Sequence, residues 1–229
     1  MMNDPISLAV STVIFALRPH PTTRRLALWV PLVRRIRAPH QGRWALPGGP
    51  LTPDEGLAAS AARNLRETTQ LTPQYLEQLY AFGGLDRAPT AAERTVSVVY
   101  WALVRPEEAD AGAAGVNVQW FVADEVPELA FDHSLIVQYA LWRLRNKVEY
   151  SRIAAAFLGE SFTLAELRGV HEAVLQRTLD PANFRRQMEA SGRLVATDAF
   201  RTGGRHRPAR LYRHDRSIHL ADNGPLTGQ

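Results

Sequence analysis

Cysteine is absent from this 229-residue chain, which excludes disulfide bonds, thiolate metal sites and a cysteine nucleophile. Lysine is almost absent, because 26 of the 27 basic side chains are arginine and the other is Lys147. No apolar run reaches membrane-spanning length, and the first residues lack the pattern of a secretion signal. These absences favour a cytoplasmic protein, with enough residues for one large domain or two small ones.

Charge is distributed unevenly along the chain. Residues 1–150 carry 15 basic and 15 acidic side chains, whereas residues 151–229 carry 12 and 8, so the net charge of +4 lies entirely in the last third. This asymmetry predicts two modules, the second with a polyanionic partner. A solvated basic tail is the alternative.

Hydrophobic patterning predicts a layered α/β domain in the first module. A periodic segment predicts a helix at about residues 53–69, and helical periodicity returns from His133 to Leu158. Short β-branched and apolar runs predict strands at residues 6–17, 26–33, 95–104 and 117–122.

A glycine turn precedes the first predicted helix. Thr52, Pro53 and Glu55 have the pattern of a helix start with a capping box. Glu55 also lies eight residues before Arg63, so the pair can anchor the loop to the helix. A Mg²⁺ site for a pyrophosphate needs charged oxygen ligands clustered on one helix face. The positions on that face are Asn64, Glu67 and Thr68, which leaves one carboxylate.

The loss of two carboxylates predicts a pocket that holds a pyrophosphate ligand without hydrolysing it. Asparagine and threonine bind Mg²⁺ weakly, and neither replaces a carboxylate base. The alternative is that other acids, such as Asp54 or Glu93, complete a working site.

Arginines are the expected contacts for a phosphate ligand, because the guanidinium offers two parallel donors. Ordinary surface arginines are the alternative at each position. His133 is expected to cap the following helix, since no partner histidine lies at metal-ligand spacing. The predicted ligand-binding residues are Arg35, Arg37, Arg43, Gly49, Glu67 and Arg94.

Residues 151–216 have the element order of a winged helix-turn-helix domain, which lays its later helix in the DNA major groove. A capping box at Thr163 opens one helix, and Asp180 before a proline opens the next. Two short segments around Gly203-Gly204 predict a hairpin, the wing. Residues 217–229 are predicted to form a disordered tail.

The predicted DNA contacts lie mainly on the later helix and the wing. Phe184 and Met188, four residues apart, should face the core and leave the polar side chains outside. Asparagine and glutamine suit adenine edges, and arginine suits guanine edges or phosphates. A small helical dimerisation domain with a basic loop is the alternative. The predicted DNA-binding residues are Thr163, Asn183, Arg185, Arg186, Gln187, Arg201, Gly204, Arg205 and Arg207.

Residues 49–71 resemble the Nudix box of nucleoside diphosphate hydrolases, G-x5-E-x7-R-E-U-x-E-E-x-G-U with U aliphatic. The resemblance implies a Nudix α/β/α sandwich with a mixed sheet, at residues 1–150. Gln70 in place of the glycine implies a differently built helix end. The matching positions are Gly49, Glu55, Arg63, Leu65, Glu67 and Leu71, and the departures are Asn64, Thr68 and Gln70.

The two modules together resemble the NrtR family, the Nudix-related transcriptional regulators of NAD metabolism. The stretches that carry the resemblance include Phe131-Asp-His133, Leu179-Asp-Pro-Ala-Asn-Phe-Arg-Arg186 and Gly204-Arg-His-Arg-Pro-Ala-Arg-Leu-Tyr212, which has a one-residue insertion. The resemblance implies a Nudix domain that binds ADP-ribose or a related nucleotide and a second domain that represses genes of NAD biosynthesis or salvage. It implies no required cofactor and no Mg²⁺.

A repressor of this type is expected to be a homodimer on a double-stranded operator, because two recognition helices must reach sites about one DNA turn apart. It is expected in the bacterial cytoplasm, and on the nucleoid when bound to DNA. Two other functions fit the residues. One is a Nudix hydrolase of ADP-ribose or nucleotide sugars with a DNA-binding appendage, and the other is a regulator of sugar catabolism with another ligand.

Overall fold

The computed structural model describes residues 6–71, 73, 75–85, 87, 94–111, 117–148, 153–201 and 208–214. The chain divides into two compact units. The first comprises residues 1–18 and 27–142, and the second comprises residues 19–26 and 143–229. In the described segments, none of the helices combines the length and the apolar character that crossing a membrane requires.

The first unit contains a mixed sheet of seven strands. They are β1 (Ile6–Pro19), β2 (Leu26–Arg34), β3 (Trp44–Ala45), β4 (Gly48–Pro50), β5 (Tyr75–Phe82), β6 (Arg94–Val104) and β7 (Val118–Val122). The main path has the order β3-β2-β1-β6-β5, and β4 and β7 pair with β1 and β2. β1 and β6 are parallel, whereas β5 and β6 are antiparallel.

Helices cover both faces of this sheet. They are α1 (Leu57–Thr69), α2 (Pro106–Ala111) and α3 (His133–Val148), with a 3-10 turn at Ala123–Glu125. Leu65 of α1 packs with Ile14 of β1, on one face. On the other face, Tyr139 of α3 contacts Tyr80 of β5. Tyr80 is the register partner of Val99 in β6, and Val99 points to the face opposite α1, because side chains alternate along a strand. The predicted α/β sandwich with a mixed sheet is confirmed.

The second unit has a helical part and a hairpin. Its elements are α4 (Ile153–Ala156), α5 (Leu164–Leu175), α6 (Pro181–Ala190), β8 (Leu194–Arg201) and β9 (Ala209–His214). Phe162, just before α5, exchanges two backbone hydrogen bonds with Tyr212 of β9, at 2.9 and 2.7 Å. The buried side chains of Phe157, Val174 and Phe184 form its core. The predicted winged helix is confirmed.

Four elements of the first unit were not predicted, namely the short strands β3 and β4, and β5 and α2. β5 is half exposed and carries Glu77 and Gln78, so it lacks a clean apolar alternation. The single helix predicted from His133 to Leu158 is α3 followed by α4, and residues 149–152 lie outside the described residues. The predicted tail at 217–229 also lies outside them.

Candidate functional site

The loop before α1 is tied to that helix by a bidentate ion pair. Nε and Nη2 of Arg63 donate to the two carboxylate oxygens of Glu55, at 2.9 and 2.6 Å. This hydrogen-bonded guanidinium holds the pKa of the Glu55 carboxyl well below its usual range, and the carboxylate raises the pKa of Arg63. The predicted anchor between loop and helix is confirmed.

The start of α1 lies later than predicted. Its N-cap is Gly56, and no side chain caps the helix there. The Glu55 carboxylate accepts the Thr52 N–H at 3.2 Å, which is half of a capping box, but the segment between them is a turn. The prediction of a helix start at Thr52 is wrong, because Glu55 binds Arg63 and leaves the first turn of α1 uncapped.

The three box positions that would hold a metal are engaged within α1. Asn64 is buried, and its Oδ1 accepts a hydrogen bond from Arg63 Nη1 at 3.3 Å. The Thr68 hydroxyl donates to the Asn64 carbonyl oxygen at 2.5 Å. Glu67 is exposed and pairs with Arg63 Nη1 at 3.2 Å. The only carboxylate of the three is therefore already bound to a guanidinium.

This donor set does not fit the Mg²⁺ ion that a Nudix hydrolase would use, since Mg²⁺ prefers several hard anionic oxygens in octahedral geometry. Asp54 lies in the turn before α1, and Glu93 lies outside the described residues. Across the segments that the structure describes, no three His, Asp or Glu side chains form a metal-binding group. That the protein requires no Mg²⁺ remains a prediction, which a metal titration tests.

Gly49 passes close to the box helix. A Cβ at this position would lie 2.7 Å from Asn64 Oδ1, a distance that real Cβ atoms do not reach. A side chain at position 49 would therefore have to displace the Asn64 amide, and a ligand contact through the Gly49 backbone remains a prediction. The other end of α1 is a left-handed cap at Gln70, with φ of 59° and its N–H bonded to the Arg66 carbonyl. The expectation of a differently built helix end is wrong, because glutamine adopts the conformation that glycine usually supplies.

Arg35 is the predicted ligand-binding arginine with the most distinctive surroundings. Its Cζ lies 4.6 Å from the centroid of the Phe131 ring, and its Nε donates to the Pro39 carbonyl at 2.8 Å. Partial burial lowers its pKa from the usual value. Within the described ranges, no carboxylate pairs with Arg35. A partly buried guanidinium with donors to spare suits an anion.

The other predicted arginines are placed differently. Arg43 pairs with Glu128 at 3.0 Å, and Arg94 donates to the Gly83 carbonyl at 3.3 Å. Arg37 is exposed. Arg43 lies beside Arg35, whose backbone N–H donates to the Arg43 carbonyl at 2.9 Å, and the ligand contacts of all these arginines remain predictions.

A cleft of about 440 Å³ lies at the end of β5 and the start of α3. Its lining includes Phe82, Phe131 and a partly buried ion pair in which Arg87 donates to both oxygens of Asp132, at 2.5 and 2.8 Å. Sequence reasoning missed Arg87, Phe131 and Asp132 as site residues. The one signal that could have found them is the Phe131-Asp132-His133 stretch, which supported the family resemblance.

His133 joins the start of α3 to the segment before the glycines. Its Nδ1 accepts the Leu46 N–H at 2.9 Å, and burial lowers its pKa to about 4. The ring is therefore neutral near pH 7, with Nδ1 unprotonated. The expected capping role is wrong, because His133 is the first residue of α3 and the Asp132 carbonyl accepts the Ile136 N–H.

The recognition helix of the second unit is α6. The Asp180 side chain caps it by accepting the Asn183 N–H at 2.8 Å, with proline at the first helical position. Phe184 is buried and contacts the ring of His171 in α5, with centroids 5.2 Å apart. Burial lowers the pKa of His171 to about 4. The predicted polar residues are exposed as expected, namely Asn183, Arg185, Arg186 and Gln187.

Several predicted DNA contacts are held by neighbours in this structure. Arg186 Nη2 donates to Asn183 Oδ1 at 3.0 Å. Arg185 Nε donates to Glu189 at 2.9 Å, and this hydrogen bond raises the pKa of Arg185. The predicted contacts Gly204, Arg205 and Arg207 lie outside the described residues.

Thr163 caps the start of α5. The residue is buried, and its hydroxyl accepts the Glu166 N–H at 3.2 Å in a complete capping box. The hydroxyl therefore satisfies the first turn of α5, and a contact between Thr163 and DNA remains a prediction. Arg201, at the end of β8, is exposed and donates to Glu166.

Both units match known domain families. Residues 9–140 match the model of the NUDIX domain, and residues 154–214 match the model of the NrtR DNA-binding winged helix domain. The chain is 35% identical over 191 residues to an ADPR-responsive transcriptional repressor, NtrR, of Acinetobacter baylyi, which covers 81% of this chain and 75% of the relative. It is also 31% identical over 113 residues to an ADP-ribose pyrophosphatase of Methanocaldococcus jannaschii, over 49% of this chain and 66% of the relative.

Solved structures of NrtR from Shewanella oneidensis are similar to this chain. The crystal structure of that protein complexed with a 27mer DNA has a TM-score of 0.76 and 36% identity, and the match covers 91% of this chain and 93% of that chain. The NUDIX domain of the same protein, in a cocrystal with ADP ribose, has a TM-score of 0.52 and 33% identity, over 62% of this chain and 90% of that one.

Proposed function

Since the chain belongs to the NrtR family, we propose that it is a DNA-binding transcriptional repressor whose Nudix domain binds ADP-ribose or a related nucleotide and thereby releases the operator. The A. baylyi relative is an ADPR-responsive repressor, and the S. oneidensis protein has been crystallised with DNA and, as its NUDIX domain, with ADP ribose. The chain spans nearly the whole of that DNA-bound protein, so both activities are proposed for one molecule.

The exposed face of α6 carries the DNA-binding part of the proposal. Asn183, Arg185 and Arg186 lie exposed within one turn of a capped helix whose opposite side is anchored by buried Phe184. Asparagine can pair with adenine and arginine with guanine, in the major groove. The rigid support matters, because base readout requires side chains held in a fixed register along the duplex.

Arg35 and the cleft beside Phe131 support the nucleotide part. Phe131 lines the cleft and lies under the Arg35 guanidinium, so a group that can bind an anion lies next to an aromatic surface. A nucleotide diphosphate has the matching pair of features, a pyrophosphate and a flat base. We therefore propose that Arg35 contacts a phosphate of the effector and that the base or sugar enters the cleft.

The proposed targets are genes of NAD biosynthesis or salvage. ADP-ribose forms when the nicotinamide group is cleaved from NAD. A repressor that leaves its operator when it binds ADP-ribose would therefore restore NAD synthesis as NAD is consumed. The experiment is a fluorescence anisotropy titration with a labelled duplex from the region upstream of the chain's own operon. We expect ADP-ribose to lower the bound fraction, and unchanged binding across the titration would overturn the sensor proposal.

Controls in that titration separate the rival ligands. AMP, ribose 5-phosphate and sugar phosphates are each added at the same concentrations as ADP-ribose. Release by a sugar phosphate alone would favour a regulator of sugar catabolism. Release by ADP-ribose alone would favour the NAD-linked proposal.

We propose that the protein acts as a homodimer in the cytoplasm, where bacterial DNA lies. A palindromic operator requires two recognition helices related by a two-fold axis. The first unit has exposed apolar side chains on β5 and α3 that suit such contact, with Tyr80, Leu135 and Trp142 each more than half exposed. Size-exclusion chromatography with light scattering should give twice the chain mass for the wild type and a lower mass for Trp142→Ser, but not for the control Ile6→Ser.

Hydrolysis of ADP-ribose is the second candidate function, because an ADP-ribose pyrophosphatase is among the relatives. The box positions argue against it, since Glu67 is paired with Arg63 and the other two side chains are uncharged. Turnover is measured by chromatography with Mg²⁺ or Mn²⁺ present. Robust release of AMP that collapses in Glu67→Gln would favour the enzyme.

A further inference from the structure

Two acids lie within the basic face of the second unit, and each binds an arginine that was predicted to contact DNA. They are Glu166, at the first turn of α5, and Glu189, at the last turn of α6. We call them the clamp acids. A carboxylate near DNA is repelled by the phosphates, so on charge alone both residues weaken binding to every duplex.

Glu189 connects the recognition helix to the hairpin. Its Oε1 accepts Arg185 Nε at 2.9 Å and the Tyr212 hydroxyl at 3.4 Å. Tyr212 is itself buried and fixed by the backbone pair with Phe162. The Glu189 carboxylate therefore connects the guanidinium of Arg185 to Tyr212, a buried residue of β9.

Glu166 binds the other arginine, Arg201, at the end of β8. Its Oε2 accepts the Thr163 N–H at 2.8 Å and belongs to the capping box, whereas its Oε1 accepts Arg201 Nη1. One carboxylate therefore satisfies the start of α5 and holds the last residue of β8. Arg201 immediately precedes residues 202–207, which were predicted to form the tip of the wing and lie outside the described residues.

An arginine that is ordered before binding loses less conformational entropy when it reaches its DNA partner. This smaller loss of entropy favours binding only where the DNA group lies within reach of the held guanidinium, as we propose for a base edge in the operator. On other sequences the guanidinium must leave the carboxylate to reach a phosphate, and the carboxylate charge still repels the duplex. The clamp should therefore cost more affinity for random DNA than for the operator.

We propose that Glu166 and Glu189 are positioning residues for operator recognition, which hold Arg201 and Arg185 so that the protein favours its operator over other DNA. The proposal rests on the proposed DNA-binding function. Wild-type protein that selects no sequence from a random duplex library would overturn both, whereas the variants below test the clamp alone.

The test compares two dissociation constants for each variant, one for the library-selected operator and one for a scrambled duplex of equal length and composition. We expect Glu189→Gln and Glu166→Gln to lower the ratio of operator to scrambled affinity by roughly 5-fold or more, within the range for residues coupled in one network. Affinity for the scrambled duplex should rise. Glutamine keeps the capping box at position 166, so α5 retains its start.

The matched control is Asp198→Asn. Asp198 lies on β8 in the same unit, is fully exposed, and has only a long contact of 3.8 Å with Arg210. Its substitution changes the net charge by the same amount, so it should raise both affinities together and leave the ratio unchanged. If the clamp variants behave like Asp198→Asn, the acids act by charge alone and the proposal fails.

A double-substitution cycle tests whether Glu189 acts through Arg185. In an Arg185→Gln background, Glu189→Gln should no longer change the ratio, because there is no guanidinium to position. An undiminished effect in that background would overturn the clamp. The Arg201→Gln and Glu166→Gln pair gives a second, independent cycle, and a thermal melt of each variant establishes that it is folded.

Discussion

The two units use the polar side chains of their motifs in opposite ways. In the first, Asn64 and Thr68 are bonded within α1, and Glu67 is paired with Arg63. In the second, Asn183 and Arg186 stand exposed on α6 and bond to each other. A catalytic metal site needs anionic oxygens free to bind an ion, and the three box positions of the first unit offer one carboxylate, which is paired with Arg63. A DNA-binding face needs donors on a rigid surface, and the second unit has those.

The difference indicates which parts of a motif maintain a fold and which perform chemistry. The Glu55–Arg63 pair, the Gly49 approach and the left-handed cap at Gln70 all retain their geometry. These contacts fix the loop before α1 and the two ends of that helix. At positions 64 and 68, where the Nudix box has metal-binding carboxylates, this chain has asparagine and threonine.

The largest expected effect is a loss of stability in acid that arises separately in each unit. His133 and His171 are both buried with pKa values of about 4, below the usual 6.5. The unfolded chain binds more protons between pH 6.5 and 4, so stability is complete above pH 6.5 and falls through that window. Each histidine should contribute a loss on the order of 3 kcal/mol.

Urea denaturation at a series of pH values measures this loss. All five tryptophans lie in the first unit, so their fluorescence reports on it, while circular dichroism reports on both. His133→Gln keeps an acceptor for the Leu46 N–H and should flatten the pH dependence of the fluorescence midpoint. If the slope of that midpoint with pH is the same in wild type and variant, His133 is not the titrating group.

The next effect concerns DNA affinity alone. Arg186→Glu should weaken operator binding by roughly 100-fold, because a base or phosphate contact is lost and repulsion replaces it. ADP-ribose affinity, measured by calorimetry, should be unchanged. Arg66→Glu, an exposed residue of α1, makes the same charge change in the first unit and should have little effect on operator binding. Equal losses in the two variants would mean that net charge, and not the α6 face, governs binding.

The anchor of the first unit should contribute to stability rather than binding. Arg63→Gln would leave the Glu55 carboxylate, 13% exposed, without its bidentate partner. We expect the free energy of unfolding to fall by about 2 kcal/mol, as measured from tryptophan fluorescence in urea. Arg66→Gln, three residues along the helix, is the control and should change it by less than about 0.5 kcal/mol. No difference between the two would show that the ion pair is energetically neutral.

The smallest effect is expected at the nucleotide site. Arg35→Gln should lower ADP-ribose affinity by about 10-fold, since one charge-assisted contact to a phosphate is removed. Operator affinity without nucleotide should stay the same. Arg34→Gln is the matched control, because Arg34 is an exposed neighbour whose side chain donates to the Gly42 carbonyl. A similar decrease in both variants would argue against a specific role for Arg35.

The sequence predicted both folds because their patterns are strong. Thr163, Asp180 and the stripe through Leu65 each specify an element locally, and all were found where expected. The predicted start of α1 was wrong because capping-box spacing between Thr52 and Glu55 cannot show that the residues between them form a turn before a helix whose N-cap is Gly56. The cleft was missed because Arg87 and Asp132 are 45 positions apart, and such a pair is evident only after folding.

The position of Lys147 has a practical consequence. It lies in the last turn of α3, the helix within which the first unit ends and the second begins. As the only lysine in a chain without cysteine, it gives amine-reactive dyes a single side-chain target, and any engineered thiol would be unique. A donor on Lys147 and an acceptor on a cysteine introduced in either unit would form a dye pair of known placement. Energy transfer between the two dyes could then measure whether nucleotide binding changes the distance between the labelled positions.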